Sequence, residues 1–323
     1  MDISIYQEDF LVYLESQDIV REPKNLYQPI DYILQLGGKR IRPVLTLMAA
    51  DIFSGAYKRA LPAALAIETF HNFTLIHDDI MDDAPLRRGK QTVHEKWDLN
   101  TGVLSGDAML ILAYQYFENY EPAVFQKLAK LFSKTALEVC DGQQLDVDFE
   151  TRNDVTIDEY INMIRLKTSV LVAAALKMGA IVVNATKKDA NLIYEYGLNL
   201  GIAFQLQDDY LDTFGDAETF GKRIGGDIIE NKKTFLYLKA LQITNISDKE
   251  KLTNFYNEEL DNNTEKIKEV TRIFQENGIP NVVKGKIEFY TNKALSIVSS
   301  LEISIENKEK LKQFGLNLMS RIV

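Results

Sequence analysis

The sequence predicts an all-α protein that forms a single domain over residues 1–323. Apolar residues recur at spacings of three and four, the period of one helix face, whereas alternating strand patterns are nearly absent. The chain has only seven prolines, and tracts such as 123–279 contain none, so long helices can run there unbroken. The apolar spacing is clearest in Phe10–Leu14, Ala63–Phe73, Leu192–Phe204 and Leu311–Leu318. We expect about a dozen helices.

The segments between the expected helices give no sign of a second domain. Loops rich in lysine and asparagine are expected near 184–191, 244–251, 261–265 and 277–281. No shift in composition, repeat of fixed period or low-complexity segment marks a boundary. The most apolar stretch, Val170–Val183, is too short to span a bilayer and contains Lys177. We therefore expect a buried core helix there.

Composition excludes several classes of protein. With 46% apolar residues the chain can bury a sizeable core. A formal charge of −10, from 37 basic and 47 acidic residues, disfavours a general binder of nucleic acid or anionic membranes. The single cysteine, Cys140, excludes an internal disulfide and a thiolate metal site, and we expect it to be buried. The acidic opening MDISIYQEDF does not resemble a signal peptide, so a cytoplasmic protein is expected.

The first of two acidic motifs suggests a metal site. HDDIMDD at 77–83 follows an apolar helical run that starts at Leu61. At 100° per residue, Asp78 and Asp82 share one helix face, with Asp79 on its flank. Like charges at this spacing destabilise an isolated helix by about 0.2–0.5 kcal/mol per pair, so the cluster favours a cation. Oxygen ligands select a hard ion such as Mg²⁺; a solvated helix end is the alternative for one motif alone.

The same pattern returns 130 residues later as QLQDDYLD at 205–212, again after an apolar helix, here Leu192–Phe204. Chance is a poor explanation for this repetition. Two helix ends with such triads, facing each other across a cavity, would hold several divalent ions against a diphosphate. Without metal, their six carboxylates would repel one another and the ligand.

Basic residues are grouped where a diphosphate would need them. GGKRIRP at 37–43 combines a flexible glycine turn with three cations, with a solvated loop as the alternative. Arg87 and Arg88 place two guanidinium groups just after the first acidic motif, and their forked geometry suits phosphate oxygens. Further cations follow at Lys167, Lys222, Lys232 and Lys233. The order of these basic residues along the chain, alongside two aspartate motifs, is the strong evidence for a diphosphate-binding site.

Six motifs between residues 37 and 234 together resemble one known family. They are GGKRIRP at 37–43, HDDIMDDAPLRRG at 77–89, GQQLD at 142–146, RLKTSVL at 165–171, FQLQDDYLDTFGD at 204–216 and FGKRIGGDIIENKKT at 220–234. The family is that of the trans-polyprenyl diphosphate synthases, which includes farnesyl and geranylgeranyl diphosphate synthases. The resemblance implies a helical bundle of the isoprenoid synthase type around a central cavity, usually as a homodimer. It also implies a prenyltransferase that joins isopentenyl diphosphate to an allylic diphosphate.

The resemblance also implies roles for individual residues. Direct Mg²⁺ ligands would be Asp78, Asp82 and Asp208, with about three ions when substrate is bound, while Asp79, Asp209 and Asp212 act through water. Isopentenyl diphosphate would contact Lys39, Arg42, His71 and Arg88. The allylic diphosphate would contact Arg87, Lys167, Lys222 and either Lys232 or Lys233. Thr168 and Gln205 would turn oxygen dipoles toward the allylic carbocation, which makes Lys167, Thr168, Gln205 and Lys222 the expected catalytic group.

Three functions remain to be separated by experiment. A class I terpene cyclase shares the implied fold and first acidic motif, but the second motif, DDYLD, differs from the Asn/Ser/Glu type expected there. A non-catalytic regulatory subunit would have eroded acidic motifs, and both are intact. His71 also has an alternative role as an ordinary core histidine, although it lies seven residues before Asp78 and so on the same face. His77 and His94 show no metalloprotease spacing, and we read both as structural residues or as residues that support neighbouring ligands.

Product length depends on the residues that precede Asp78 on its helix. Phe73 lies five residues earlier, about 7.5 Å along the axis, and Phe70 about 12 Å away. Both are also plausible core aromatics. In the family that this chain resembles, bulk at the fifth position limits the product, and a second aromatic at the fourth or an insertion marks shorter chains. With Phe73, small Thr74 and no insertion, we expect a C20 product, with C15 as the alternative.

Overall fold

The computed structural model describes residues 3–216, 224–257 and 263–320. Its helices are α1 Ser4–Glu15, α2 Lys24–Gln35, α3 Ile41–Ser54, α4 Leu61–Met81, α5 Val93–Lys96, α6 Leu99–Gln115, α7 Pro122–Thr151, α8 Ile157–Ile164, α9 Val170–Val182, α10 Lys187–Phe214, α11 Gly226–Ile229, α12 Phe235–Ile243, α13 Ile246–Asn257, α14 Asn263–Glu276, α15 Ile279–Val298 and α16 Ile305–Met319. Short 3₁₀ segments occupy Tyr57–Ala60 and Tyr116–Asn119, and Arg165–Ser169 forms a π-helical segment.

Within those ranges the only strands are β1 Leu86–Arg87 and β2 Lys90–Gln91, which pair antiparallel. The predicted all-α class is confirmed. The described ranges contain sixteen helices against the dozen expected, and two of them, α5 and α11, are single turns.

All four expected loops are shorter than predicted: α14 begins at Asn263 and α15 at Ile279, inside the loops expected at 261–265 and 277–281, and residues 261–262 lie outside the described ranges. Helix α10 already begins at Lys187 and α13 at Ile246, so the loop predictions for 184–191 and 244–251 are wrong over most of their length. At the start of α10, the Asp189 N–H donates to Thr186 Oγ1 at 3.0 Å. At the start of α13, the Asp248 N–H donates to Asn245 Oδ1 at 3.0 Å. These polar residues act as N-caps, so they begin helices instead of breaking them.

Contacts between Cα atoms group the chain into two compact units. The first comprises Met1–Lys134 and Ala174–Ile193, and the second Thr135–Ala173 and Tyr194–Val323. The boundaries fall inside α7, α9 and α10, with no separate linker in the described segments. A single domain over residues 1–323 stays a prediction.

In the first unit α4 is the central helix. It packs against α3 and α6. Its first half is rich in alanine, and Ala63, Ala64 and Ala66 are fully buried, which lets neighbouring helices approach closely. Pro62 lies in its first turn, where a missing N–H costs nothing. Buried packing along this half holds the other end of α4 in a fixed place.

In the second unit the helix α10 forms the core. Leu200, Ala203 and Leu206 are fully buried on it. Two hydrogen bonds hold α16 against it: Tyr196 Oη donates to the Leu311 carbonyl at 2.9 Å, and Gln207 Nε2 to the Met319 carbonyl at 3.0 Å. The part of α10 that carries the second acidic motif is therefore anchored.

The expected core helix is confirmed, since Val170–Val182 is helical and mostly buried. Among the described residues no helix combines the length and the hydrophobicity that crossing a membrane requires. The expectation for Cys140 is wrong, because this cysteine is exposed on α7.

Candidate active site

The first acidic motif lies at the carboxyl end of α4. The helix ends at Met81, yet the N–H of Asp82 still donates to the Asp78 carbonyl at 2.9 Å, so Asp82 continues the helical path. Asp78 is partly exposed and Asp82 exposed, whereas Asp79 is buried. The structure therefore has the predicted one-turn spacing between two accessible carboxylates.

Asp79 is held by a guanidinium group. Arg87 Nε lies 2.9 and 2.8 Å from the two carboxylate oxygens of Asp79, and its Nη2 lies 2.6 Å from Oδ1. The β1–β2 hairpin presents Arg87, and its turn residues Arg88 and Gly89 both have positive φ, 54° and 73°. This arrangement agrees with the expectation that Asp79 is not a direct metal ligand. Contact of Arg87 with the allylic diphosphate stays a prediction.

Arg88 lies against the glycine pair of the first basic motif. Its Nη1 donates to the Gly37 carbonyl, and a Cβ added at Gly38 would come within 2.7 Å of the guanidinium carbon. Gly38 also has φ +116°, a conformation that other residues rarely adopt. The structure thus brings Arg88 and the GGKRIRP motif together, the two features that the family resemblance assigned to the same diphosphate.

One of the three cations in GGKRIRP is structural. Arg40 forms a buried ion pair with Glu68 at 2.6 Å and also donates to the Leu34 carbonyl. Lys39 is exposed. The Nε atom of Arg42 is buried and has no hydrogen-bond partner among the described residues. The unpartnered Arg42 Nε is thus a described donor that an anion could use, and binding of an anion by Lys39 and Arg42, as the family resemblance implies, stays a prediction.

His71 lies among these cations. Burial lowers the pKa of His71 well below its ordinary value of 6.5, and the charges of Arg42, Arg88 and Arg87 lower it further. The imidazole is therefore neutral at pH 7 and has one N–H to donate. We call the three arginines Arg42, Arg87 and Arg88, together with the neutral His71 near them, the cationic cluster. Its mutual repulsion would be relieved by a bound anion.

A cavity of about 200 Å³ lies in the second unit beside the second acidic motif. Helix α10 lines it with Asp208, Asp209 and Asp212, and α11 adds Asp227. The Asp227 N–H donates to Asp212 Oδ2 at 3.0 Å. Gly225, with φ +82°, makes the turn that brings α11 to this position.

Lys167 and Thr168 reach the same cavity from the π-helical segment. Such segments are frequent at functional sites, because the extra residue redirects side chains out of the regular helix. Gly142 on α7 makes room, since a Cβ there would come within 2.2 Å of the Lys167 backbone nitrogen. Lys167 Nζ lies 2.6 Å from Asp146 Oδ2, and Thr168 Oγ1 donates to Gln205 Oε1 at 3.0 Å.

The electrostatics of the cavity suit a divalent cation. Burial raises the pKa values of Asp209 and Asp227 above their ordinary value of 3.8, and neighbouring carboxylates raise them further. Asp212 is buried as well. Two of the lining cations, Lys167 and Lys232, are already paired with the carboxylates of Asp146 and Glu230. An oxygen-only donor set with excess negative charge fits Mg²⁺.

The adjacent lysines have different environments. The Lys232 side chain is 41% exposed and lies 2.6 Å from Glu230 Oε2. Lys233 is buried, and its Nζ donates to the carbonyls of Phe149 and Glu150 at 2.9 and 2.8 Å. Because these bonds hold Lys233 in the fold, the geometry favours Lys232 as a diphosphate contact. The other predicted cation, Lys222, lies outside the described residues.

Comparison with known proteins decides the family. The profile of the family described as Polyprenyl synthetase matches residues 23–274, well over half of the chain. The chain belongs to the polyprenyl synthetase family. It is thus a prenyltransferase.

Individual relatives agree with this assignment. A geranylgeranyl diphosphate synthase of Methanosarcina mazei is 43% identical over 225 residues, 69% of each chain. A geranylfarnesyl diphosphate synthase of Natronomonas pharaonis is 41% identical over 239 residues, 68% of this chain and 70% of that one. A crystal structure titled as a geranylgeranyl pyrophosphate synthase superposes with a TM-score of 0.96 at 52% identity and covers all of both chains. The fold is therefore that of the all-α isoprenoid synthases.

Sequence reasoning assigned no role to several residues that line the cavity of this polyprenyl synthetase, among them Asp146, Asp227 and Tyr160. Asp146 and Asp227 lie inside the motifs GQQLD and FGKRIGGDIIENKKT, so their place there was a usable signal. Tyr160 precedes RLKTSVL and looks like any apolar helix position. Only its hydroxyl contact, with Asp209, distinguishes it.

The two candidate chain-length residues differ in environment. Phe70 is 1% exposed and packs edge-on against Phe132, with ring centroids 5.1 Å apart. Phe73 is partly exposed and contacts Phe70 at 5.4 Å and the His77 ring at 4.8 Å. Phe73 is thus the more accessible ring, with Phe70 behind it. The His77 ring packs on Phe73, and a structural role for His77 stays a prediction.

Proposed function

We propose that this prenyltransferase condenses isopentenyl diphosphate with an allylic diphosphate and releases mainly the C20 product, geranylgeranyl diphosphate. The observation that carries the proposal is the cavity of the second unit. There the carboxylates of the second acidic motif line the same space as Lys167, Thr168 and Gln205. Carboxylates for metal, a cation for diphosphate and oxygen dipoles for a carbocation are what this ionisation requires.

The residues divide the work as follows. Lys167 and Lys232 would bind oxygens of the allylic diphosphate, and Thr168 and Gln205 would face the cationic carbon. Mg²⁺ bound at each acidic motif, by Asp78 and Asp82 in the first and by Asp208 in the second, would supply positive charge against the departing diphosphate. The carbon–oxygen bond breaks, and the departing diphosphate keeps the electron pair.

The new bond joins the allylic carbon to the terminal alkene carbon of isopentenyl diphosphate. The released diphosphate then takes the proton that restores a double bond. The cationic cluster of the first unit supports binding of the second diphosphate, because Arg42 Nε is buried without a partner in the described ranges and His71 has an N–H to donate. No protein nucleophile is needed.

A direct assay tests this function. Purified protein is incubated with Mg²⁺, radiolabelled isopentenyl diphosphate and dimethylallyl, geranyl or farnesyl diphosphate, and dephosphorylated products are separated by chromatography. We expect Mg²⁺-dependent labelling of a C20 prenol. A cyclic hydrocarbon formed without isopentenyl diphosphate would indicate a terpene cyclase. No turnover by the chain alone would indicate a regulatory subunit.

The C20 length rests on Phe73 and Thr74, and on relatives whose names include geranylgeranyl diphosphate synthase. A relative of similar identity is named for the C25 product, so C25 is a measurable competing outcome beside C15. Phe73→Ala should open space below the growing tail and shift products to longer chains. An unchanged distribution would place the floor at Phe70 or on the neighbouring helix α6.

Assembly and location are also open to direct measurement. A homodimer in the cytoplasm stays a prediction from the family resemblance. Light scattering on the purified chain should give about twice the 36.8 kDa chain mass. A mass equal to one chain would exclude the dimer under those conditions.

A further inference from the structure

Gln205 is held from both ends inside the cavity of the second unit. Its Nε2 donates to Asp209 Oδ1 at 3.0 Å, and its Oε1 accepts from Thr168 Oγ1 at 3.0 Å. Gln205 and Asp209 lie one turn apart on α10, where side chains on one face meet. The orientation of the Gln205 side-chain amide is therefore set by Asp209 at its nitrogen and by Thr168 at its oxygen.

Asp209 is itself fixed by Tyr160. The Tyr160 hydroxyl donates to Asp209 Oδ2, so each carboxylate oxygen accepts one hydrogen bond from a protein donor. Tyr160 is 2% exposed and Asp209 4%, so water does not compete freely for these positions. The carboxylate is thus held in one orientation by Tyr160 and Gln205.

We propose that Tyr160 and Asp209 are positioning residues that keep the Gln205 carbonyl oxygen, not its amino group, turned toward Thr168 and the cavity. Asp209 accepts from the Tyr160 hydroxyl on one carboxylate oxygen and from Gln205 Nε2 on the other, so the amino end of Gln205 faces Asp209 and its carbonyl end faces Thr168. Thr168 spends its only hydrogen on Gln205 Oε1, which leaves its oxygen lone pairs for the cavity. Two oxygen atoms are then presented to the same space.

The orientation matters because charge develops on the allylic carbon. Preorganised oxygen dipoles stabilise a carbocation, whereas a flipped amide would present N–H groups and oppose it. This inference rests on the proposed function, in which Gln205 faces that carbon. In addition, the contacts that run from Tyr160 through Asp209 to Gln205 determine which end of the Gln205 amide faces the cavity.

A double-mutant cycle tests the chain of contacts. The full-length protein carries Tyr160→Phe, Gln205→Leu or both, and kcat, KM for each substrate and the single-turnover rate are measured. Gln205→Leu should lower the single-turnover rate roughly 100-fold and Tyr160→Phe roughly tenfold, with KM changed less than about twofold. In the Gln205→Leu background, Tyr160→Phe should cost less than about twofold, because the group it positions is gone.

Tyr196→Phe is the matched control. Like Tyr160→Phe, it removes the hydroxyl of a buried tyrosine. Tyr196 lies on α10, and its hydroxyl donates to the Leu311 carbonyl. It should lower the melting temperature much as Tyr160→Phe does while leaving kcat near wild type. If Tyr160→Phe fails to fold, Asp209→Asn replaces it, because its amide can donate to Gln205 and permit the flip.

The outcomes separate the inference from the proposed function. Full activity in Gln205→Leu would overturn the role of Gln205 itself. A slow Gln205→Leu with a wild-type Tyr160→Phe would overturn only the positioning chain. Additive losses in the double variant would do the same, since they would show that Tyr160 acts independently of Gln205.

Discussion

The carboxylate of Asp79 is buried, and its bidentate partner Arg87 is only 25% exposed. Arg87→Ala would leave this carboxylate buried without the guanidinium. Because an unpaired buried charge is costly, we expect a loss of about 2–3 kcal/mol in the free energy of unfolding. Urea denaturation measures it. Stability within about 0.5 kcal/mol of wild type would show that Asp79 gains other partners or water.

Arg87→Lys separates structure from substrate binding at the same residue. An ammonium group keeps the charge but cannot contact both carboxylate oxygens as a fork. We expect it to recover part of the stability. If Arg87 also binds the allylic diphosphate, KM for that substrate will stay raised after stability is recovered. An unchanged KM would assign Arg87 to Asp79 alone.

His71 gives a residue-level pH prediction. Its folded pKa is lowered below 6.5 by burial and by the cations around it. Because the unfolded chain binds this proton more readily, the contribution of His71 to stability is fully present above about pH 6.5 and is lost as pH falls below it. Adding inorganic diphosphate should raise the pKa of His71, since an anion offsets the surrounding charge.

Histidine NMR measures this pKa directly. The chain has three histidines, so His71→Gln identifies the resonance by its loss. A titration midpoint near 6.5 that ignores diphosphate would place His71 outside the cationic cluster. A rise of the midpoint on adding diphosphate would support the predicted ligand role over a simple core role.

At the scale of helices, glycine reports how closely two of them approach. In the first unit a Cβ added at Gly179 on α9 would lie 2.1 Å from the Thr46 carbonyl oxygen on α3. That oxygen belongs to rigid backbone, so the helices would have to separate. Gly179→Ala should destabilise the protein by about 1–3 kcal/mol despite the better helix propensity of alanine.

Gly285 is the matched control for Gly179. It lies in the interior of α15, exposed, and a Cβ there meets nothing within 4 Å. Gly285→Ala should therefore stabilise the protein by up to about 1 kcal/mol. Thermal unfolding of the two variants should move the melting temperature in opposite directions. A rise of the melting temperature in both variants would mean that α9 and α3 are not in close contact.

A second glycine contact links α6 to product length. A Cβ at Gly106 would lie 2.3 Å from His77 Nε2, and the His77 ring packs on Phe73. Gly106→Ala should displace His77, loosen Phe73 and add products longer than those of wild type. Gly102→Ala, one turn earlier, meets only the end of the Ile80 side chain at 2.9 Å and should leave the distribution unchanged. The same product profile from both variants would exclude this route.

The sequence predicted helices better than it predicted their ends. Long apolar runs specified α4, α9 and α10 because their periodicity is strong. The apolar pattern does not reveal the starts at Lys187 and Ile246, since Thr186 and Asn245 are residue types common in loops, and here they cap helices. The π-helical turn at Lys167 was also invisible, because its backbone shift leaves no mark on the apolar pattern.

For the whole molecule, the motifs predicted ligand types but not their state of pairing. Chemistry and spacing identified both acidic triads and their basic partners. The sequence pattern did not show that Arg40 forms a buried ion pair with Glu68, or that Lys233 donates hydrogen bonds to backbone carbonyls. Such distinctions depend on partners far away in sequence, which a single chain without its fold does not reveal.

Metal couples activity to the stability of the whole protein. A chelator should abolish turnover, and Asp78→Ala or Asp208→Ala should lower the rate by orders of magnitude without unfolding the chain.

Without metal, burial raises the pKa values of Asp209 and Asp227, so the folded state binds more protons than the unfolded state above about pH 4. Stability from these two groups is thus present at low pH and is lost as pH rises toward neutral.

Unfolding at pH 6 and pH 8, in chelator and in Mg²⁺, tests this last prediction. In chelator, Asp227→Asn should gain stability relative to wild type as pH rises, because it removes a group that becomes a buried charge. Asp141→Asn, an exposed acid on α7, should show no such gain. Mg²⁺ binds the ionised carboxylates, so it should stabilise wild type more at pH 8 than at pH 6 and stabilise Asp208→Ala less. A difference between wild type and Asp227→Asn that does not vary with pH or metal would mean that Asp227 lies outside the metal-binding group.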